Sequence, residues 1–296
     1  MYIPHEFRQK PKLYSLGEYI IAPHCEVKNQ IAAWIVGLRF LDCETADRKL
    51  SAHTRKANCL YEIQLDSYEA PLILKVVQPS NHRNWRRRLN SMLTRLFRNP
   101  NLSSFHCSLG FEQNNIASIK PIAYWTYQVP GQSEKSYLLY EKVQAEMSAW
   151  HLGEYLVETN PQANIIIEEI THQLAQVVRD IHAANMRHGD PHSGNFLVSL
   201  NGKDISTLTK GQISQLTFTL IDLDKSHFVR VRWKWLKYFF DMKCLRRFRI
   251  RELRGTPLLP YYLQREPNKT DLLVMKFWMR GGFNLYKHLH HKNRVV

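Results

Sequence analysis

Ile166, Ile170, Leu174, Val177 and Ile181 recur at spacings of three and four, and this run constrains the chain more than any other feature. Apolar residues so spaced share one face of an α-helix, which predicts a long amphipathic helix over about 162–184, opened by Asn160-Pro161. The helix runs into His188-Gly189-Asp190-Pro191-His192-Ser193-Gly194-Asn195, and an apolar strand ending at Asp222 follows. Residues 196–198 and 217–221 read as a hairpin, which would return Asp222 to the side of Asn195. The insertion at 199–217 carries an Asn201-Gly202 turn signal and receives no assigned role.

Ahead of this helix the hydrophobic period is different. Ile31 to Phe40 reads as a short buried element, and Arg48 to Asn58 as a turn-rich basic segment. Residues 59–65 alternate like a strand, with Leu60 and Tyr61 competing for its apolar face. Asp66-Ser67 forms the turn, and 71–77 is a second, more buried strand that carries Lys75. A basic helix is expected from Trp85 to Phe97, ended by Asn99-Pro100, and a short one from Leu102 to Asn114. Pro121 to Tyr127 and Tyr137 to Tyr140 supply two further strands around a Pro130-Gly131 turn. The chain thus passes from sheet-rich to helix-rich near residue 141, dividing 1–140 from 141–296.

Asp190, Asn195 and Asp222 are the residue types that phosphoryl transfer uses. One carboxylate orients the attacking hydroxyl and takes its proton, an amide oxygen and a second carboxylate hold magnesium on the phosphates, and a lysine neutralises phosphate oxygens. Lys75 suits the last role. Taken singly, each has a plainer reading: Gly189-Asp190 as a turn, Asn195 as a cap, Asp222 as an exposed strand end, Lys75 as a snorkelling strand residue. Their joint spacing in a helix–loop–strand–strand context is far more specific than any one of them.

These residues carry a family resemblance. His188 to Asn195 followed by Ile221-Asp222 resembles the catalytic loop and metal-binding aspartate of protein-kinase-like enzymes, and Gly189 in place of arginine is similar to the aminoglycoside and choline kinase branch. The fuller stretches 178–190 and Leu220-Ile-Asp-Leu-Asp-Lys225 more closely resemble the bacterial lipopolysaccharide core kinases, the Kdo and heptose kinases. The resemblance implies an α+β, protein-kinase-like two-lobe fold, with a small antiparallel-sheet N-lobe that binds nucleotide and a mainly helical catalytic C-lobe. It implies ATP and magnesium as cofactors and a heptose or Kdo hydroxyl of the inner core as acceptor. Asp190 matches the catalytic aspartate, Lys75 the ATP lysine, and Asn195 and Asp222 the magnesium ligands. Asp224 adds a ligand or a structural contact. Glu112, the acidic residue in the right region, is assigned as the partner of Lys75. Two departures stand out: no glycine-rich loop is visible, and no glycine follows the Asp222-Leu-Asp224 motif.

The formal net charge of +15 and pI near 9.6 call for an anionic partner. From Lys225 to Arg254 eleven Lys or Arg stand against Asp241 and Glu252, interleaved with Trp233, Trp235, Tyr238, Phe239 and Phe240. The plain reading is a lobe helix with its rings in the core. Its charged side suits an anionic membrane surface. No nucleic-acid motif competes with this, and the resemblance implies a peripheral place on the cytoplasmic face of the inner membrane. No leader-like or membrane-spanning apolar run is present. Five scattered cysteines argue against a disulfide scaffold or a zinc site, and His288, His290 and His291 have no distinctive ligand spacing. Only 72 residues follow Asp224, which favours a small or glycolipid acceptor over a polypeptide. The competing readings are a small-molecule kinase of the aminoglycoside or choline type, whose cationic acceptors fit the charge poorly, and an inactive kinase-like binding protein. Oligomeric state is not legible in the sequence.

Overall fold

The computed structural model describes residues 15–38, 49–51, 58–65, 68–77, 99–128, 135–229, 233–250, 253 and 256–281. The expected basic helix at 85–97, the Asp66-Ser67 and Pro130-Gly131 turns, and the three C-terminal histidines lie outside these residues. By its contacts the chain divides into two compact units, Met1–Gln113 with Ser118–Val143, and Asn114–Ala117 with Gln144–Val296.

The first unit contains β1 (Ser15–Ile21), α1 (Lys28–Leu38), β2 (Lys49–Ser51), β3 (Asn58–Ile63), β4 (Leu72–Val77), α2 (Pro100–Gln113), β5 (Pro121–Gln128) and β6 (Lys135–Glu141). Its strands form one six-stranded antiparallel sheet in the order β1-β5-β6-β4-β3-β2. The hairpin expected from the alternation of 59–65 and 71–77 is β3–β4, with Leu60 opposite Lys75. Tyr61 rather than Leu60 is the buried residue of the competing pair. Part of the segment read as turn-rich, Lys49–Ser51, is instead a strand, because its backbone pairs with β3. α1 lays Ile31, Trp34 and Ile35 against a core that includes Leu74, Val76, Trp125 and Tyr137. Trp125 stacks flat on Tyr137 at 5.2 Å, and Trp34 meets Trp125 edge-on at 5.9 Å. Side chains alternate along a strand, so Lys75 stands on the opposite face from Leu74 and Val76. α2 begins earlier than the sequence suggested. Asn99 Oδ1 accepts from the Asn101 and Leu102 amides, and Pro100 fits the first turn because it has no N–H to satisfy.

The second unit is mainly helical. β7 (Met147–Ser148) leads into α3 (Ala149–Thr159), where the Ser148 hydroxyl caps by accepting from the His151 amide at 3.3 Å. α4 (Ala163–Ala183) is the amphipathic helix, with Ile166, Ile170, Leu174 and Ile181 all buried. Asn185 closes it at φ 57°, a left-handed position that asparagine tolerates. Then follow β8 (Met186–Arg187), β9 (Phe196–Ser199), α5 (Lys210–Ile213), β10 (Thr217–Leu220), β11 (His227–Phe228), α6 (Lys234–Ile250), α7 (Leu259–Leu263) and α8 (Lys269–Lys276). β9 and β10 form the expected hairpin, from Thr217 opposite Ser199 to Leu220 opposite Phe196. The 199–217 insertion has a packing role: its Ile205, Leu208 and Ile213 are buried, and Asn160 Nδ2 donates to the Ile205 and Leu208 carbonyls. Among the described residues no helix is long and apolar enough to cross a membrane, and Cys25, Cys59, Cys107 and Cys244 are free thiols.

Candidate functional site

The loop from β8 to β9 gathers the chemistry-bearing residues of the second unit, and its backbone explains why. Gly189 adopts φ 75°, and a Cβ there would lie 2.4 Å from the Lys225 carbonyl oxygen. Only glycine accommodates both the left-handed backbone and that approach. The neighbouring segment is fastened by β8–β11 pairing and by the Ser226 hydroxyl, which donates to the His188 carbonyl at 3.1 Å. His188 is fully enclosed. Its Nε2 lies 2.9 Å from the Ile221 carbonyl and donates to it, tying this loop to the end of β10. Burial pushes the His188 pKa down, against the hydrogen bond to Ile221, so the ring is held neutral.

Asp190 follows as a turn residue with a defined setting. Its carbonyl accepts from the His192 amide and from Asn195 Nδ2, both at 2.9 Å. Its carboxylate Oδ2 receives Lys225 Nζ at 2.5 Å. Asn195 is buried at the end of a short 3₁₀ turn, and with its nitrogen committed to Asp190 its Oδ1 is the atom suited to a cation. The Ile221 amide donates to the Asn195 carbonyl at 3.0 Å, extending the β9–β10 ladder and carrying Asp222 to the side of Asn195. Asp222 itself is exposed and sits at φ 56°, ψ 56°, a left-handed conformation costly for a residue with a side chain. Asp224 lies in the following 3₁₀ turn.

The donor set fits magnesium. Carboxylates and an amide oxygen are hard ligands of the kind magnesium takes alongside phosphate oxygens and water, and Asn195, Asp222 and Asp224 would be the residues to hold it. Among the described residues no group of three or more His, Cys, Asp and Glu is placed to hold a metal by itself. Structure therefore brings Asp190, Asn195 and Asp222 together in one loop and hairpin. Lys75 and Glu112 belong to the first unit. Lys75 is the fourth residue of β4, and the buried Asn101 of α2 ties that strand to its neighbour by donating to the Lys75 and Ser136 carbonyls at 3.4 and 2.9 Å. Glu112, near the exposed end of α2, has its carboxylate 3.2 Å from His24 Nδ1.

Two features had no reading in the sequence. Lys225 was visible in the Asp-Leu-Asp-Lys run but was given no role there. The other is a buried ion pair under the loop: Arg187 Nε and Nη2 donate to Asp241 Oδ1 at 3.0 and 2.6 Å, and Nη2 also donates to the Lys237 carbonyl at 3.0 Å. This pair fastens β8 to α6. A lone acidic residue in a strongly basic helix was its only sequence signal. His182, 3.8 Å from Asp241 and 2.8 Å from the Tyr262 hydroxyl, completes the cluster, and burial with the Arg187 charge lowers its pKa to about 3.

A search of curated proteins finds no match to this sequence. Among solved structures, "WaaP in complex with acyl carrier protein" is similar, with a TM-score of 0.54 at 12% identity over 93% of this chain and 98% of that one. At that identity the likeness concerns the fold, which is α+β and of the protein-kinase-like two-lobe kind. Residues 83–252, more than half of the chain, match the lipopolysaccharide kinase (Kdo/WaaP) family, a span that contains the whole Asp190–Asn195–Asp222 arrangement. On that match the chain belongs to the lipopolysaccharide kinase (Kdo/WaaP) family.

Proposed function

We propose that the protein transfers the γ-phosphoryl group of ATP to a sugar hydroxyl, on heptose or Kdo, in the lipopolysaccharide inner core. The observation that carries this reading is the convergence of Asp190, Asn195 and Asp222 at one loop and hairpin, in a chain of the Kdo/WaaP family. Asp190 orients the acceptor hydroxyl and receives its proton. Asn195 and Asp222, with Asp224, would hold magnesium, which when bound would supply charge neutralisation of the nucleotide phosphates. Lys75 is read as the lysine that neutralises ATP phosphates, with Glu112 as its assigned partner. The net charge of +15 suits an anionic glycolipid acceptor better than a cationic antibiotic or choline. The same charge, with Trp233 and Trp235 exposed at the start of α6, supports peripheral attachment to the cytoplasmic face of the inner membrane.

The direct test is mass analysis of lipid A–core from cells with and without the gene, beside transfer from ATP to purified core glycolipid. The expected result is one phosphate fewer on a core sugar when the gene is absent, restored by the wild-type chain and not by an Asp190→Asn chain. Identical cores from both strains, with no transfer in vitro, would end this reading.

A further inference from the structure

We infer that Lys225 is a positioning residue for Asp190, holding its carboxylate in the rotamer that receives the acceptor proton; this rests on the phosphotransfer reading above. The contact is built rather than incidental. Lys225 Nζ lies 2.5 Å from Asp190 Oδ2, and the Lys225 backbone is pressed so closely on the loop that position 189 has no room for a Cβ. The segment is fixed on its other side as well, by the Ser226 hydroxyl on the His188 carbonyl and by His227 opposite Arg187 in the β8–β11 pair. The backbone beside Lys225 is thus fixed against the loop that carries Asp190.

Stability gives no reason for such an arrangement. Lys225 is 55% exposed, and ion pairs in that setting add little to folding. Asp190, only 14% exposed, gains something else. A carboxylate that accepts a proton during the reaction must present one oxygen to the acceptor hydroxyl, and free rotation would spread it over unproductive positions. A short charge-assisted bond to Oδ2 fixes that rotation. The proposed step then balances simply. The acceptor oxygen bonds to the γ-phosphorus, the bond from that phosphorus to the bridging oxygen breaks to leave ADP, and the acceptor proton moves to Asp190. Lys225 keeps its own proton throughout.

The test separates turnover from binding. Lys225→Ala should lower kcat by a factor on the order of 10², the cost of a misplaced reacting group, while KM for ATP stays within about twofold. Lys225→Arg should recover most of the loss, and added propylammonium should restore part of it in the Ala variant, since the site is open to solvent. Lys225→Met keeps the stem and carries the same expectation if the Ala variant folds poorly. Unchanged kcat in Lys225→Ala or Lys225→Met overturns the inference. So does a loss confined to KM for ATP, which would make Lys225 a nucleotide ligand, and so does an Arg variant as slow as Ala. A wild-type chain without turnover on core glycolipid is a different failure: it removes the phosphotransfer reading, and the positioning role with it.

Discussion

Asp190 and Asp222 are both aspartates at turns, yet their surroundings differ. Asp190 is mostly enclosed and ion-paired to Lys225, whereas Asp222 is exposed and held in left-handed backbone by the ladder that ends at Ile221. In the proposed reaction the two substitutions should separate. Asp190→Asn should reduce transfer by about 10²- to 10⁴-fold, the range of a lost general base, and leave ATP affinity near wild type. Asp222→Asn should also weaken nucleotide binding in magnesium, because its charge belongs to the metal site. Nucleotide titrations with and without magnesium, beside turnover, check both. Near-full turnover in Asp190→Asn would reduce that residue to a turn former. Equal magnesium–ATP affinity in the two variants would remove the metal role of Asp222.

At the scale of elements, the site is held from below by the contact of β8 with α6. Arg187 and Asp241 are both buried, so neither is expendable alone: removing one partner strands a charge, at a cost of about 3–5 kcal/mol. The same cluster sets a pH dependence. His182 has its pKa lowered to about 3 from an ordinary 6.5, and His188 is also lowered by burial. With that value His182 stays neutral in the folded chain, while in the unfolded chain it takes up a proton below roughly pH 6.5. Stability from this ring is complete above that pH and is lost as pH falls, by up to about 1.4 kcal/mol per pH unit, and His188 acts in the same direction. Asp241, raised by burial, acts in the opposite sense toward acid. Denaturant unfolding between pH 7 and 5 should show the loss, with a shallower slope in His182→Gln. Stability that is flat across this range would contradict a neutral buried His182.

For the whole molecule, charge and exposed aromatic surface are the relevant quantities. α6 buries Met242, Cys244 and Leu245 but leaves Trp233 and Trp235 each 64% exposed and stacked at 6.0 Å, with Lys234 between them. Phe228 on β11 is 54% exposed. Wet aromatic rings beside lysines in a chain of +15 suit the headgroup level of an anionic membrane. The protein should therefore co-sediment with anionic vesicles, more weakly at high salt, since surface attraction is screened within a Debye length of about 8 Å at physiological ionic strength. Replacing Trp233 and Trp235 together with alanine should release most of the bound fraction. Binding indifferent to lipid charge and to salt would count against this surface.

Much of the site was legible in the chain itself, because its determinants are local. The 3.6-residue period over 166–181 set the long helix, and the short spacing from Asp190 to Asn195 placed both in one loop before any tertiary contact was known. Alternation marked β3, a more buried apolar run marked β4, and two strands around a turn signal marked β5 and β6, while the hairpin returning Asp222 to Asn195 followed from two apolar runs with a turn signal between them. The remaining features depend on groups far apart in sequence. β2, at three residues, is too short to show a period, while β1 carries seven residues without a clear apolar alternation; both are edge strands whose backbone hydrogen bonds come from β3 and β5. α3 was passed over, although a cap at Ser148 and the buried Ala149, Leu152 and Leu156 mark it in the fold. The Arg187–Asp241 pair joins residues 54 positions apart, and Lys225 reaches Asp190 across 35. An isolated charge in a basic sequence looks solvated until the fold removes water from around it or brings its partner within hydrogen-bond reach. Sequence alone thus determined which groups could do chemistry and how the loop presents them, while the tertiary structure decided which charges are paired and buried, since desolvation and long-range pairing exist only once the chain has closed on itself.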